Sequence, residues 1–348
     1  MRMSRSRTSL TVRLGAALAA MTLVAAACGD GDDDDTDGTT GDGGEQTEEP
    51  AGDAGGEMPE FLTMGTGSTG GTYFPLGGAI AGVWSGNIEG LDVSTQASGA
   101  SVENLQLLAQ GEIDLAMAIN GTASAALAGE GDFAGQEYDI TYLGAIYREV
   151  YQIVARADAG ITTVEDMAGK TVAIGPPGSG TAVFAEALLE RAGIELGETR
   201  QETFGEAADL LRDGTIDASI GVLALPAGSL EEVARSTDLV LVSLEGDLLQ
   251  QTLDEDPTLT ETQYEPGTYT GVDEPATLVT NWASLYARSD LPEDAAYQLV
   301  KVMYEMNTDI SAAHAVGGEI QIDTALEGAA DVPIHPGAQD YYEEAGAG

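Results

Sequence analysis

Three short stretches carry the residue types that hold an anion. They are Thr66-Gly67-Ser68-Thr69-Gly70-Gly71-Thr72, Ala97-Ser98-Gly99-Ala100-Ser101 with Asn104 one turn on, and Gly178-Ser179-Gly180-Thr181. Each mixes glycines, which leave backbone N–H groups open, with hydroxyls that add further donors. Each also precedes an apolar run of helical period, so the positive end of a helix dipole would face the same point. A carboxylate gripped between two such loops is the chemistry this pattern suits. Taken singly, each loop is equally an ordinary N-cap or tight turn. From these loops Thr66, Ser68, Thr69, Gly70, Ser98, Ser101, Asn104, Gly178, Ser179, Gly180 and Thr181 are candidate ligand-binding residues, with Asn120 further along the chain. Arg148 is a further candidate, as a partner for a ligand carboxylate, or else as one half of a surface ion pair with Glu149 or another acid.

Other chemistries find less support. Gly65, Gly67 and Gly70 satisfy GxGxxG, but a dinucleotide site wants an acid at the end of the next strand, and that strand ends near Gln96 and Ala97. Residues 175–181 resemble a phosphate loop without the lysine that should follow Gly180. The two histidines, His314 and His335, lack metal-ligand spacing around them, and no serine sits in a GxSxG elbow. The expectation is a binding protein, not an enzyme, with no cofactor and no metal; His335, in Ile-His-Pro-Gly, reads as structural.

The loops need elements to aim them, and the chain supplies these twice. Residues 107–116 (LLAQGEIDLA) parallel residues 210–219 (LLRDGTIDAS): a helix end, a glycine, then a short buried strand. Gly111 and Gly214 suit the left-handed position after a helix. Upstream, Phe61–Met64 and Thr171–Ile174 are short strands that each run into a glycine loop and a helix, and second strands follow near Asp92–Ala97 and Arg200–Thr203. Each half reads strand, loop, helix, strand, helix, strand, a parallel α/β unit. Two such units predict two Rossmann-like lobes, 61–152 plus 278–348 and 153–277. Tyr151–Ala155 and Leu278–Ala287 would be the two crossings of a two-segment hinge, and helices near Pro292–Met306 would return to the first lobe. In open α/β sheets ligands bind beyond the carboxyl ends of the strands, where the three loops lie.

The amino-terminal end addresses the protein outward. Arg2, Arg5, Arg7 and Arg13 precede an apolar run, Leu14–Ala27, too short to span a bilayer and ending in small residues. Residues 1–27 therefore read as a signal peptide. Leu23 to Gly29 resembles a bacterial lipobox, with Cys28, the single cysteine of the chain, as the site of lipidation and membrane anchoring. Residues 28–60 form an acidic linker, including four consecutive acids at Asp32–Asp35, whose composition predicts disorder. Formal net charge is −46; with four of the 13 Lys+Arg in the leader and 13 of the 59 Asp+Glu between Asp30 and Glu60, the folded part stays near −37. Nucleic acid, which needs a basic footprint, is excluded as a partner.

Four motifs in order also carry a resemblance. Gly67–Pro75 (GSTGGTYFP), Ala97–Asn104 (ASGASVEN), Gly175–Thr181 (GPPGSGT) and the tail Ile334–Ala338 with Tyr341, Tyr342 and Gly346 resemble the TAXI family, solute receptors of tripartite ATP-independent periplasmic (TRAP) transporters. The resemblance implies a type II periplasmic-binding-protein fold whose two lobes close on a small anionic solute of the glutamate, glutamine or dicarboxylate class. It implies delivery to TRAP permease membrane subunits by a monomer held outside the cytoplasm by its lipid. Carried over, Ser68, Thr69 and Tyr73 would contact the solute from one lobe together with Ser101 and Asn104, and Ser179, Gly180 and Thr181 from the other. Arg148 stands where members of the family often have proline, and the acidic stretch Asp247–Glu274 has no counterpart among these motifs. A ligand-sensing lipoprotein of the same fold, acting on a signalling partner, is the alternative.

Overall fold

The computed structural model of the chain describes residues 56–347; the leader, Cys28 and the linker up to residue 55 lie outside the described residues. The first unit comprises β1 (Phe61–Gly65), α1 (Tyr73–Asn87), β2 (Asp92–Gln96), α2 (Ser101–Gln110), β3 (Leu115–Ile119) and α3 (Asn120–Ala128). The long β4 (Thr141–Arg156) leads into β5 (Thr171–Ala173), α4 (Gly180–Ala192), β6 (Glu198–Arg200), α5 (Phe204–Arg212) and β7 (Ala218–Leu223). Then come α6 (Gly228–Ala234), β8 (Leu239–Leu241), α7 (Gly246–Glu255), β9 (Thr260–Tyr264), β10 (Ala276–Ala287), α8 (Glu293–Glu305), α9 (Asn307–Ala313) and α10 (Pro336–Ala345).

The strands line up in the order β2-β1-β3-β10-β4-β7-β5-β6, with β8 on β4 and β9 on β10. β1 is parallel to β2 and β3, and β5 is parallel to β6 and β7. The sequence repeat is thus two three-stranded parallel sets, each with its first strand in the middle. Between them run β4 and β10, antiparallel to each other and to β3 and β7. Helices cover both faces, so the central strands read as unbroken apolar runs: every residue of Leu115–Ile119 is buried. After α2 and α5 the chain turns on Gly111 (φ 71°) and Gly214 (φ 72°), left-handed positions that a side chain would strain.

The core of the first unit forms where Leu76, Ile80 and Trp84 of α1 meet Leu299, Val300 and Met303 of α8. The Trp84 indole donates to the Leu299 carbonyl at 2.8 Å, satisfying the one polar group that the ring would otherwise bury unpaired. His335 is fully buried: its Nε2 lies 3.0 Å from the Leu291 carbonyl, and its Nδ1 accepts the Gly337 N–H at the start of α10.

Two elements differ from their sequence expectation, and a third, α7, falls where the sequence assigned none. β4 begins ten residues before Tyr151, because Thr141–Val150, though broken by Gly144 and the charged pair Arg148-Glu149, pairs along its length with β10. β6 ends at Arg200, not Thr203, because Thr203 caps α5: its hydroxyl accepts the Glu206 N–H while the Glu206 carboxylate takes the Thr203 N–H. Within the acidic stretch, α7 turns Leu248, Leu249 and Leu253 onto the second unit's core and its acids outward.

Candidate functional site

The three glycine loops converge. A small cavity of about 20 Å³, partly open to solvent, is lined by Gly67, Ser68, Gly71, Thr72, Tyr73, Ala100, Ser101 and Ile119 from the first unit. Ser179, Gly180, Thr181, Phe204, Val222 and Leu223 line it from the second, and Glu149 on β4 closes its base. That space admits about one water molecule, well below the roughly 300–1,000 Å³ typical of small-molecule sites.

Hydrogen bonds stitch the two units together around it. The first-turn amides of Val102 and Glu103 on α2 both donate to the Gly178 carbonyl at 3.1 Å. α2 has no side-chain cap of its own, so a carbonyl from the opposite loop satisfies its orphan donors. Gly205 N–H donates to the Thr69 carbonyl at 3.1 Å, and Ala224 N–H to Thr72 Oγ at 3.1 Å. These approaches need glycine: a Cβ on Gly70 would overlap the Gly205 backbone, and one on Gly99 would overlap the Pro177 carbonyl.

Most hydroxyls in the cavity wall are already engaged. Ser101 Oγ accepts the Ile119 N–H (3.1 Å), and Thr181 Oγ accepts the Val222 N–H (3.2 Å). Ser179 Oγ caps α4 at Ala182 N–H (3.0 Å) and donates to the Pro176 carbonyl (2.6 Å). Ser68 is different: 7% exposed, its Oγ has no hydrogen-bond partner among the described residues. Four residues on, Thr72 opens α1 without a side-chain cap, and the dipole at that helix end favours negative charge.

Glu149 is 3% exposed. Its Oε2 accepts from the Tyr73 hydroxyl at 2.8 Å and its Oε1 from the Tyr147 hydroxyl at 2.9 Å. The two rings meet edge to face, 6.2 Å between centroids. Burial pushes the Glu149 carboxyl up to about 8, against the lowering effect of the two tyrosine hydrogen bonds. No arginine, lysine or histidine lines the cavity.

Of the sequence candidates, Ser68, Tyr73, Ser101, Ser179, Gly180 and Thr181 line the cavity. The others stand behind it. Asn104 donates from Nδ2 to the Thr66 and Met117 carbonyls (2.6 and 2.8 Å), while Ser98 donates to Asn104 Oδ1 (2.6 Å) and Thr66 Oγ to the Gln96 carbonyl (2.9 Å). This network fixes the first two loops against each other. Asn120 Oδ1 accepts from Gly121 N–H (3.0 Å) and Trp282 N–H (3.4 Å). Thr69, Gly70 and Gly178 contribute the backbone contacts between the units.

Arg148 lies outside the cavity. Its side chain, 47% exposed, pairs with Glu327 at 3.2 Å and stacks over the Trp282 ring, 4.7 Å from the centroid. The reason is strand alternation: Tyr147 and Glu149 share the inward face of β4 and bond each other, so Arg148 between them faces the other side. The surface ion pair that the sequence offered for Arg148 is the arrangement found, with Glu327 as the acid, while Glu149, Thr72 and Phe204 were not among the sequence candidates. Only the period-2 register of β4 carried a signal for Glu149. Among the described residues no cluster of metal-ligating side chains is present, and no helix is long and apolar enough to cross a membrane.

A protein of Bordetella bronchiseptica RB50 has a similar structure, with a TM-score of 0.51 at 16% identity over 83% of this chain and 98% of that one. The alkanesulfonate-binding protein SsuA of Xanthomonas axonopodis pv. citri, solved bound to MOPS, gives a TM-score of 0.46 at 15% identity over 83% of this chain and 85% of that one. At such identities the likeness concerns the fold alone, an α/β fold whose two parallel units are those the repeat led us to expect. Residues 64–346 match the NMT1-like family, and the chain belongs to that family.

Proposed function

We propose that the protein is an extracytoplasmic solute receptor that closes two lobes on a small organic acid and presents it to a membrane transporter, without making or breaking a covalent bond. The observation that carries this reading is the cavity itself: loops from both α/β units enclose it, and a buried serine hydroxyl without a partner stands in it beside the uncapped start of α1. A ligand carboxylate would supply the acceptor that Ser68 and those amides lack. The lobes are 61–152 plus 278–348 and 153–277, with β4 and β10 as the hinge. Bound solute would stabilise the closed pair, and the transporter would recognise that state.

The four motifs support the TAXI branch of receptors and hence a TRAP permease as partner. The amino-terminal sequence supports export and a lipid anchor at Cys28. Glutamate, glutamine and C4–C5 dicarboxylates are the first solutes to try. A thermal-shift screen of amino acids and organic acids tests the reading. A ligand that binds only the folded state at 100 times its Kd adds about 2.7 kcal/mol, several degrees in Tm. A screen in which no carboxylate raises the Tm would defeat the proposal.

A further inference from the structure

The cavity has two polar poles of opposite preference, and the second defines the solute more narrowly than the first. At one pole are Ser68 and the amides that open α1, which select an anion. At the other is Glu149, an acid buried in the cavity wall with no cation beside it. We propose that Glu149 is the seat for a ligand ammonium group, so that the physiological solute is a zwitterionic amino acid and not a simple dicarboxylate. This rests on the receptor reading above and sharpens it.

Tyr73 and Tyr147 each occupy one acceptor position on the Glu149 carboxyl, which leaves further lone pairs on both oxygens for a donor from the cavity side. A primary ammonium brings up to three donors and the missing positive charge. A second ligand carboxylate would find no lysine, arginine or histidine to neutralise it, only a carboxyl that burial keeps protonated, and would lose even that donor as Glu149 ionises toward pH 8. The groups facing Glu149 from neighbouring elements are the hydroxyls of Tyr73 on α1 and of Tyr147 and Tyr151 on β4, all held neutral by burial. β10 contributes the Thr280 hydroxyl, which donates to the Glu149 backbone carbonyl, and the second unit contributes Phe204, Val222 and Leu223. Glu319, the next acid, acts on Tyr147 and accepts the Arg148 N–H from outside the cavity.

The proposal fixes the sign of proton exchange on binding. Free Glu149 is raised to about 8, so at pH 6.5 it is largely protonated; an ammonium beside it makes it ionise, and one proton leaves. A carboxylate beside it would keep it protonated, with almost no proton exchanged at that pH. The test is calorimetric titration with L-glutamate, L-glutamine and glutarate, at pH 6.5 in buffers of differing ionisation enthalpy. The expected result is release of close to one proton for the amino acids, with affinity rising up to about tenfold per pH unit toward pH 8. Toward pH 8, where ionising Glu149 costs little, glutarate should bind roughly ten- to a hundredfold more weakly than L-glutamate. Glu149→Gln should weaken the amino acids, remove the proton release and narrow the gap to glutarate. Amino-acid binding with no proton release at pH 6.5, or glutarate binding as tightly as L-glutamate at pH 8 with no effect of Glu149→Gln, overturns the assignment while leaving the receptor reading intact. Failure of all three probes and of every other carboxylate overturns both.

Discussion

Replacing Gly99 with alanine tests whether the apposed loops belong to a closed, solute-holding state. A Cβ at position 99 would overlap the Pro177 carbonyl oxygen, lie 3.2 Å from its carbon and come within 3.0 Å of the Glu103 carboxylate. Backbone cannot yield as a flexible side chain can, so the two loops must part by about 1 Å. That separation breaks the pair of hydrogen bonds from Val102 and Glu103 N–H to the Gly178 carbonyl, each 3.1 Å long. At roughly 0.5–1.5 kcal/mol for each bond the closed state loses about 1–3 kcal/mol. If binding requires closure, the loss appears as a Kd about five- to 150-fold higher. The fold itself should survive, because neither core cluster of the first unit includes residue 99. Titration calorimetry on the best solute from the screen reads the first effect, and thermal unfolding without solute reads the second. Unchanged affinity in Gly99→Ala would refute the idea that these loop contacts form on binding.

Three further outcomes are expected. In the protein without solute, Glu149 keeps a proton between about pH 4.5 and 8 that the unfolded chain releases, so its contribution to stability declines as pH rises through that window and levels off above it, on the order of a few kcal/mol in all; Tm profiles of wild type and Glu149→Gln should diverge in favour of the variant from pH 5 to 8, and parallel profiles contradict this. Gly78 sits on the exposed face of α1 with no atom within 4 Å of the place a methyl group would take, so Gly78→Ala should stabilise by roughly 0.5–1 kcal/mol and leave affinity unchanged, as read by denaturant unfolding and titration. His335→Ala removes the acceptor for the Gly337 N–H and leaves a void beside Leu291; a loss of about 2–4 kcal/mol in chemical unfolding is expected, and a loss below roughly 0.5 kcal/mol counts against this role.

Much of the architecture was legible because its signals are local. Gly111 and Gly214 mark equivalent turns, and the strand–glycine loop–helix order repeats within about a hundred residues, so the two α/β units follow from pattern alone. The loops were legible for the same reason, and six of the residues they and Tyr73 offered meet at one cavity. What escaped depends on register and on contacts distant in sequence. Whether Arg148 or Glu149 faces the cleft is decided by which face of β4 is turned inward, and that in turn by its pairing with β10 more than a hundred residues on. Asn104 and Ser98 looked like ligand groups because polar side chains around a helix start do; in the fold their partners are the Thr66 and Met117 carbonyls, which no spacing rule reveals. Phe204 entered the cavity wall through α5, where its apolar character suggested only core.

The most direct measurement is a crystal structure grown with L-glutamate. The expected result is solute density in the cavity, with a carboxylate within hydrogen-bond distance of Ser68 Oγ and the ammonium on Glu149. Solute bound elsewhere, or lying with its carboxylates toward Glu149 and its ammonium toward α1, would contradict the reading of the site.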